Sequence, residues 1–429
     1  MARSEKVSYV SRRRRPSRLE IALATLGVVL VGVIAALLLL RSGPKSDFDG
    51  FVYVESNDAQ SGRNSVLAYS FRNNGLHFLD EYPTGGTGAI DPGATGALDA
   101  QGQLVVDRRR RLLLAVNQGS DTVAVFRLAR RGSLIAVPGS PFPAGGKAPA
   151  SVGLAGPFAV VVDKADDAKR SLDAIEPVYR AFRLGADGSL TSSSAPFLVP
   201  PSSSPTQALT IGRHLVVSTE ESGPFRTFVL GAGGTLHQGA NSPLDPEASI
   251  FAPGYGGARW ALGLAAHPAR RLLYGNQAST AQLLVYAYDA TGRLTFVQAV
   301  ANHGSKLPCW TVVTPNGRRL YTANAGNGTV SAFDLGRDPR SPHQLQTLAL
   351  KHGGNPWGLA LDPAGKTLFV VDPHAVESVP RGRGNRLHAL VVRSDGRLTE
   401  LDSSPARLPV STDASPIGIA VVPRESPAG

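Results

Sequence analysis

The chain has 429 residues, of which 42% are hydrophobic, so it is long enough to bury a large core. Its formal net charge is +11, and the first 41 residues supply +6 of it, with eight Lys or Arg against two Asp or Glu. The rest of the sequence shows no basic stripe, which argues against a nucleic-acid partner. Cys309 is the single cysteine, so a disulfide framework, a CxxC site or a haem-attachment motif within one chain is excluded.

Residues 21–40 form an apolar segment without a charged residue or a proline. As a helix this segment is about 30 Å long, which matches the hydrocarbon thickness of a bilayer. It exceeds the roughly 7–15 residues of a signal-peptide core, and no small-residue cleavage site follows it. The sequence therefore predicts an uncleaved transmembrane helix, with a cleaved signal peptide and a twin-arginine export signal as the alternatives.

The charges around this segment predict its orientation. Seven Lys or Arg precede residue 21, whereas only Arg41 and Lys45 follow residue 40 closely. By the positive-inside rule the basic tail, residues 1–20, lies in the cytoplasm, and the chain after the segment lies outside the cell membrane. Residues 41–49 are expected to be a linker, residues 50–424 the folded domain and residues 425–429 a short tail.

Residues 320–335 have the pattern of a strand, a tight turn and a second strand. Asn and Gly at positions 324 and 326–328 accept the backbone angles of a hairpin turn, and β-forming residues flank them. Apolar residues lie on both faces of the second strand, which indicates that sheets pack on both sides. Seven copies of the pattern recur. The strand before the turn, which is the second strand of each four-stranded unit, ends 46 to 60 residues after the corresponding strand of the preceding copy. Four short strands per copy are typical of a propeller blade.

The two ends of the repeat region complement each other. A further strand, the first of the four, precedes most copies but is absent ahead of the first copy. Residues 417–422 form an unpaired strand after the last copy. Pairing the two would remove both sheet edges. The sequence therefore predicts an all-β fold, a seven-bladed β-propeller closed by the C-terminal strand and preceded by one N-terminal transmembrane helix.

Residues 355–365 read Asn-Pro-Trp-Gly-Leu-Ala-Leu-Asp-Pro-Ala-Gly, residues 314–324 read Thr-Pro-Asn-Gly-Arg-Arg-Leu-Tyr-Thr-Ala-Asn, and Gly-x-Leu turns recur. With these motifs the chain resembles the lactonase family of seven-bladed propellers, which includes 6-phosphogluconolactonase and carboxymuconate cyclase. The resemblance covers nearly all of residues 51–423. It implies lactone hydrolysis in the central channel by His, Arg and Glu, because a base must activate water and a donor must stabilise the oxyanion.

The chain departs from the family pattern where histidines are expected. It has Pro-Ala-Ser-Val at residues 149–152 in place of a Pro-His stretch, and Ser-Pro-Thr-Gln at 204–207 in place of Gly-Pro-Arg-His. The acid of the family's Asn-Glu pair corresponds to Glu220, which is therefore the candidate catalytic residue. The alternative for Glu220 is a solvated loop carboxylate.

The loops that lead into first strands combine aromatic and polar side chains, which suit a sugar-like or cyclic ligand. The expected ligand-binding residues are Trp260, His303, Lys306, Trp310, His352, Asn355 and Trp357, with packing between blades as the alternative for each tryptophan. Three long connections, residues 58–65, 164–177 and 373–386, should emerge on one face and could bind a protein partner. No spacing predicts a metal site, and we expect a monomer without a cofactor.

Two functions remain open from the sequence. The first is a ligand- or partner-binding module outside the membrane whose hydrolytic site has eroded, and the missing histidine motifs favour it. The second is an active lactone hydrolase with Glu220 as acid–base residue, which the family resemblance favours.

Overall fold

The computed structural model describes residues 45–90, 98–167, 169–373 and 384–424. Blades 1 to 3 contain β1 (Gly50–Glu55), β2 (Ser65–Arg72), β3 (Gly75–Pro83), β4 (Leu104–Asp107), β5 (Leu112–Asn117), β6 (Thr122–Leu128), β7 (Leu134–Ala136), β8 (Phe142–Pro143), β9 (Pro149–Ala155), β10 (Phe158–Asp163), β11 (Val178–Leu184), β12 (Leu190–Ser192) and β13 (Phe197–Leu198). Blades 4 and 5 contain β14 (Leu209–Ile211), β15 (Leu215–Thr219), β16 (Phe225–Leu230), β17 (Leu236–Gln238), β18 (Ala261–Ala266), β19 (Leu272–Gln277), β20 (Gln282–Tyr288) and β21 (Leu294–Ala301).

Blades 6 and 7 contain β22 (Pro308–Val313), β23 (Arg319–Asn324), β24 (Thr329–Asp334), β25 (His343–Ala349), β26 (Leu359–Leu361), β27 (Thr367–Asp372), β28 (Arg386–Val392), β29 (Leu398–Glu400) and β30 (Ala406–Arg407), and β31 (Ile419–Pro423) follows. Within the described ranges, helix is limited to four short 3-10 turns, Gln118–Ser120, Arg130–Gly132, Ala248–Ile250 and Ala278–Thr280. The strands form seven sheets, each with four strands in antiparallel succession, and β8, β13 and β30 add to the third strands of three blades. The predicted seven-bladed, all-β fold is confirmed.

The ring closes in the predicted way. The C-terminal strand β31 pairs antiparallel with β1, in a register that runs from Gly50 opposite Pro423 to Val54 opposite Ile419. Blade 1 therefore takes its first strand from the end of the chain and its other three strands from the beginning. Neither end of the repeat array leaves a strand edge unpaired at this junction.

Apolar residues on both faces of a strand are explained by the neighbouring blades. In blade 6, Tyr321 and Ala332 pack in one cluster with Leu368 of blade 7. On the other face, Leu320 and Phe333 pack in a second cluster with residues of blade 5. Because every second strand is buried in this way, its sequence is apolar on both sides.

The antiparallel order gives the propeller two distinct faces. The turns between first and second strands and those between third and fourth strands lie on one face, here named the turn face. The connections between second and third strands and those between blades lie on the opposite face, here named the loop face. Since β1 starts opposite the end of β31, both ends of the described chain lie on the turn face.

The predicted transmembrane segment, residues 21–40, lies outside the described residues, as do residues 1–20, 41–44 and 425–429. In the described part of the chain, no helix has the length and apolar character needed to span a bilayer.

Candidate functional site

The first strands surround a channel that contains a cavity of about 270 Å³. Its walls come from β4, β9, β14, β22, β26 and β31 and from residues that precede some of these strands. The polar wall residues are Gln101, Gln103, Ser151, Gln207 and Thr210, and Trp310 adds an indole. Aliphatic side chains complete the wall. In the part of the chain that the structure describes, no Asp, Glu, His, Lys or Arg lines this cavity.

Gln101 connects three blades across this channel. Its backbone N–H donates to the Thr206 carbonyl at 3.1 Å, and its carbonyl accepts from Ser151 Oγ at 2.6 Å. Its side-chain Nε2 donates to the Thr311 carbonyl at 3.0 Å. Gln101 therefore links blades 3, 4 and 6 through the segment that leads into β4.

Ser151 and Gln207 occupy the two motifs where the family resemblance expects histidines. Ser151 Oγ accepts from the backbone N–H of Ala208 at 3.0 Å. The Gln207 carboxamide bonds both backbone groups of Leu264 in blade 5, at 2.8 and 3.1 Å. Both positions thus face the channel, as the family pattern implies, but both carry neutral side chains that hold neighbouring blades together.

Glu220 lies at the start of the connection between β15 and β16, and its side chain is 1% exposed. Arg226 binds it with Nε at 2.5 Å from Oε1 and Nη2 at 3.4 Å from Oε2. The guanidinium of Arg226 also lies 6.0 Å from the ring of Phe197 in blade 3. Burial raises the pKa of Glu220, and Arg226 acts in the opposite direction. The structure thus places Glu220 between blades 3 and 4, away from the cavity walls.

The next residue, Glu221, is directed differently. Its carboxylate forms an ion pair with Lys164, which follows β10 on the loop face of blade 3. Lys164 Nζ also donates to the Asp99 carbonyl at 2.9 Å, two residues before Gln101. Burial raises the pKa of Glu221 to about 7, although the Lys164 charge acts to lower it. This group of Asp99, Lys164 and Glu221, the channel-mouth cluster, was missed by sequence reasoning.

Cys309 lies close to the channel-mouth cluster. Burial raises the pKa of its thiol well above the ordinary value, and the charges of Asp99 and Glu221 act in the same direction. The thiol is therefore protonated at neutral pH and serves as a small apolar group. It packs in one cluster with Trp310 and Trp357.

The three predicted tryptophans do come together. Trp310 and Trp357 are each 1% exposed, and Trp260 packs against the same cluster from a half-buried position. Trp310 also contributes to the cavity wall. The structure thus combines both interpretations of Trp310, since one indole packs between blades and lines the cavity.

The predicted polar ligands separate into two groups. Asn355 is buried, and its backbone N–H donates to Asp372 Oδ1 at 2.6 Å. His303, Lys306 and His352 are exposed and do not line the cavity. The backbone N–H of His303 donates to Gln344 on the outer strand of blade 6, which places this residue at the rim.

A second buried polar group lies in blade 7. His388 Nδ1 lies 2.8 Å from Glu400 Oε1, and Nε2 lies 3.5 Å from Asp372 Oδ2. Burial acts to lower the pKa of His388, but the two carboxylates outweigh it and raise the pKa. The three residues come from adjacent strands of one sheet, so they join that blade internally. Among the described residues, no cluster of three His, Cys, Asp or Glu could hold a metal ion.

Comparison with known proteins finds a family whose sequences resemble part of this chain and solved structures with a similar fold. Residues 262–372 match the family described as "Lactonase, 7-bladed beta-propeller". The protein is a seven-bladed propeller that is similar to this family over the matched residues. This match covers blades 5 and 6 and the first two strands of blade 7, which include residues 314–324 and 355–365 that carried the resemblance in the sequence.

Solved structures similar to this lactonase-like propeller extend the likeness over the whole ring. The periplasmic gluconolactonase of Pseudomonas aeruginosa superposes with a TM-score of 0.63 at 15% identity, covering 87% of this chain and 100% of that one. A candidate 6-phosphogluconolactonase from Bacteroides uniformis gives 0.64 at 14% identity, covering 88% and 100%. A protein from Lactobacillus plantarum gives 0.63 at 14%, covering 87% and 99%. At these identities the likeness establishes the fold alone. No curated protein sequence matches the chain.

Proposed function

We propose that this protein is a membrane-anchored, extracytoplasmic propeller that binds a small uncharged cyclic or sugar-like ligand in its channel without hydrolysing it. The observation that carries this proposal is the neutral cavity wall, in which Ser151 and Gln207 come from the two motifs where the family resemblance expects a histidine. Lactone hydrolysis needs a base within hydrogen-bonding reach of the attacking water. Among the described residues, the wall offers none.

The wall chemistry suits an uncharged ligand. A carboxamide has two N–H donors and two acceptor lone pairs, so Gln101 and Gln207 keep hydrogen-bonding capacity beyond the bonds that hold the blades. Trp310 supplies an apolar ring surface of the kind on which a sugar ring packs. The cavity of about 270 Å³ lies just below the usual range of ligand-site volumes, about 300–1,000 Å³, which favours a ligand of a single ring.

The proposed location rests on the apolar segment at residues 21–40 and the basic residues before it. The periplasmic description of the Pseudomonas aeruginosa relative agrees with it. We further propose that the protein is monomeric, with the loop face open to a protein partner. Protease added to spheroplasts, in which any outer membrane has been opened, should digest the propeller and spare the N-terminal tail, whereas full protection of the propeller would contradict the orientation.

Calorimetry on the full chain in detergent tests the ligand proposal. The probes are gluconolactone and the matching cyclic ether, which cannot be hydrolysed. Both should bind, and neither should be turned over. Thr210→Val removes one wall hydroxyl and should weaken binding about 3- to 10-fold, because one hydrogen bond is worth about 0.5–1.5 kcal/mol. The same substitution at Thr399, on the outer strand of blade 7, should leave binding unchanged. Failure of both probes to bind would count against the channel as the site.

A second candidate function, lactone hydrolysis, is favoured by the channel-mouth cluster. A carboxyl group with a pKa of about 7 is suited to act as a base at neutral pH, and the adjacent ammonium of Lys164 could stabilise an oxyanion. Glu220 was the acid expected from the sequence, but Arg226 holds both of its oxygens. Lactone turnover that Glu221→Gln abolishes would establish hydrolysis and overturn the binding proposal. If Glu220→Gln abolished lactone turnover instead, Glu220 would be the catalytic residue, as expected from the sequence.

A further inference from the structure

The turn face carries a concentration of positive charge around the channel. The turns between first and second strands in blades 2 to 7 expose seven cations, Arg108, Arg109, Arg213, Arg270, Arg271, Arg318 and Lys366. These six described turns expose no Asp or Glu, because Asp107 is half-buried and Asp362 is buried. Asp107 also pairs with Arg110. The inner turns of blades 2 to 7 are therefore basic without exposed acidic residues. At blade 1 the same face exposes Asp47 and Asp49, and Asp49 pairs with Arg424.

The outer turns of the same face continue this imbalance. At the junctions between third and fourth strands, eight arginines are exposed, Arg72, Arg130, Arg131, Arg293, Arg337, Arg340, Arg393 and Arg397. Three aspartates are exposed there, Asp187, Asp338 and Asp395. In sequence these cations are dispersed over six of the seven repeats, so no stripe is visible until the fold collects them on one face.

The described chain begins on this face. Ser46 donates its backbone N–H to Asn74 Oδ1 at 2.5 Å, and Asn74 lies in the turn between β2 and β3. The hydroxyl of Ser46 bonds that of Thr367, next to the exposed Lys366. The chain that precedes residue 45 is therefore joined to the propeller at the basic face.

We propose that the turn face docks on the anionic lipid headgroups of the membrane that residues 21–40 span. The inference rests on the proposed anchor. Five residues, 41–45, separate the apolar segment from the first described turn-face residue, and they reach at most about 18 Å. At full extension this is about two Debye lengths at physiological salt, where the surface potential is largely screened. The attraction therefore acts when the tether is less than fully extended, and the short tether keeps the turn face close enough for such approaches. Guanidinium groups bind phosphate with two parallel hydrogen bonds, which suits phospholipid headgroups.

Nucleic acid is the competing partner for a basic face. The tether favours lipid, because it fixes the local concentration of headgroups at this face but brings no nucleic acid to it. Duplex DNA therefore enters the experiment as a competitor.

Energy transfer in lipid nanodiscs tests the proposal on the full chain. The only native cysteine, Cys309, is buried, so a dye can be attached at Ala269→Cys on the turn face or at Ser61→Cys on the loop face. Discs contain headgroup-labelled acceptor in phosphatidylcholine, with or without phosphatidylglycerol. Transfer from residue 269 should rise in the anionic discs and fall again at high salt. Transfer from residue 61 should stay low throughout.

Charge variants separate docking from tethering. Arg270→Gln, Arg271→Gln and Arg318→Gln together should lower the ratio of docked to undocked protein at least about tenfold. The matched loop-face triple of Arg63→Gln, Arg259→Gln and Lys306→Gln should leave it unchanged. Equal transfer in neutral and anionic discs, or displacement from the discs by duplex DNA, overturns the proposal. A chain that cannot be incorporated into discs at all identifies a failure of the anchor instead, which removes the basis of the docking as well.

Discussion

The ammonium group of Lys164 contacts the carboxylate of Glu221 at the loop-face end of the channel, although 57 positions separate the two residues. Lys164 is fully buried, and the Glu221 side chain is 12% exposed. Removing one partner of such a pair leaves an uncompensated charge in a low-dielectric site, which costs far more than replacing both partners. The pair therefore ties blades 3 and 4 together only as long as both members are present.

Lys164→Met should lower the free energy of unfolding by about 3–5 kcal/mol, because it leaves Glu221 buried without its partner. The double variant with Glu221→Leu should recover much of this loss. Urea unfolding of the two variants and the native chain measures both effects. A single variant as stable as the native chain would mean that the contact contributes nothing.

Glu55 should make the protein less stable as the pH rises. Burial raises the pKa of this carboxyl from 4.5 to about 8, although a hydrogen bond from Asn64 acts against the shift. Between these values the folded state holds a proton that the unfolded state has released, so stability falls as the pH increases through this window. Glu55→Gln should flatten that slope and stabilise the protein at pH 8 relative to pH 5. Unfolding free energies at both pH values check this, and an unchanged slope would contradict it.

Gly263 is a position where a side chain has no room. Its φ is +59°, and a Cβ atom would lie 1.9 Å from the backbone oxygen of Cys309 in the next blade. Gly263→Ala should therefore separate blades 5 and 6 and destabilise the fold by more than about 4 kcal/mol. Gly212 is the matched control, with a φ of +61° and no atom near its Cβ position. Gly212→Ala should cost only about 1 kcal/mol of backbone strain. Equal melting temperatures of the two variants would contradict the argument.

The closing strand should be essential. Truncation before residue 417 removes β31 and exposes the unpaired edge of β1, so cooperative thermal unfolding should be lost. Truncation after residue 424 keeps the strand and should leave the melting transition unchanged. A cooperative transition in the shorter chain would disprove closure as a source of stability.

The blades could be predicted from the sequence because their signals are local. The strand, turn and strand predicted within residues 320–335 are observed as β23, Arg319–Asn324, and β24, Thr329–Asp334. Alternating β-forming residues and Asn-Gly turns determine such elements within a few residues of chain. The closing strand could be predicted for the same reason, because the missing first strand of the first copy and the unpaired strand after the last copy are both recognisable from local sequence.

The site could not be predicted in the same way. The bond from Gln101 to the Thr311 carbonyl joins positions 210 apart, and no repeat pattern relates them. Glu220 and Glu221 are adjacent and chemically identical in sequence, yet one faces Arg226 between blades and the other faces Lys164. Only the direction of each side chain separates them, and that direction is set by the turn after β15. The basic face was missed for a related reason, because its charges are spread over the repeats.

Closure of blade 1 by β31 also bears on how the protein is made. The strand β1 is synthesised first, but its partner leaves the ribosome only after six further blades. Until then the nascent chain carries an exposed edge of apolar residues that could pair with another chain. Only a full-length chain can cover this edge with β31. A prematurely terminated polypeptide keeps the edge exposed and becomes a target for quality-control proteases.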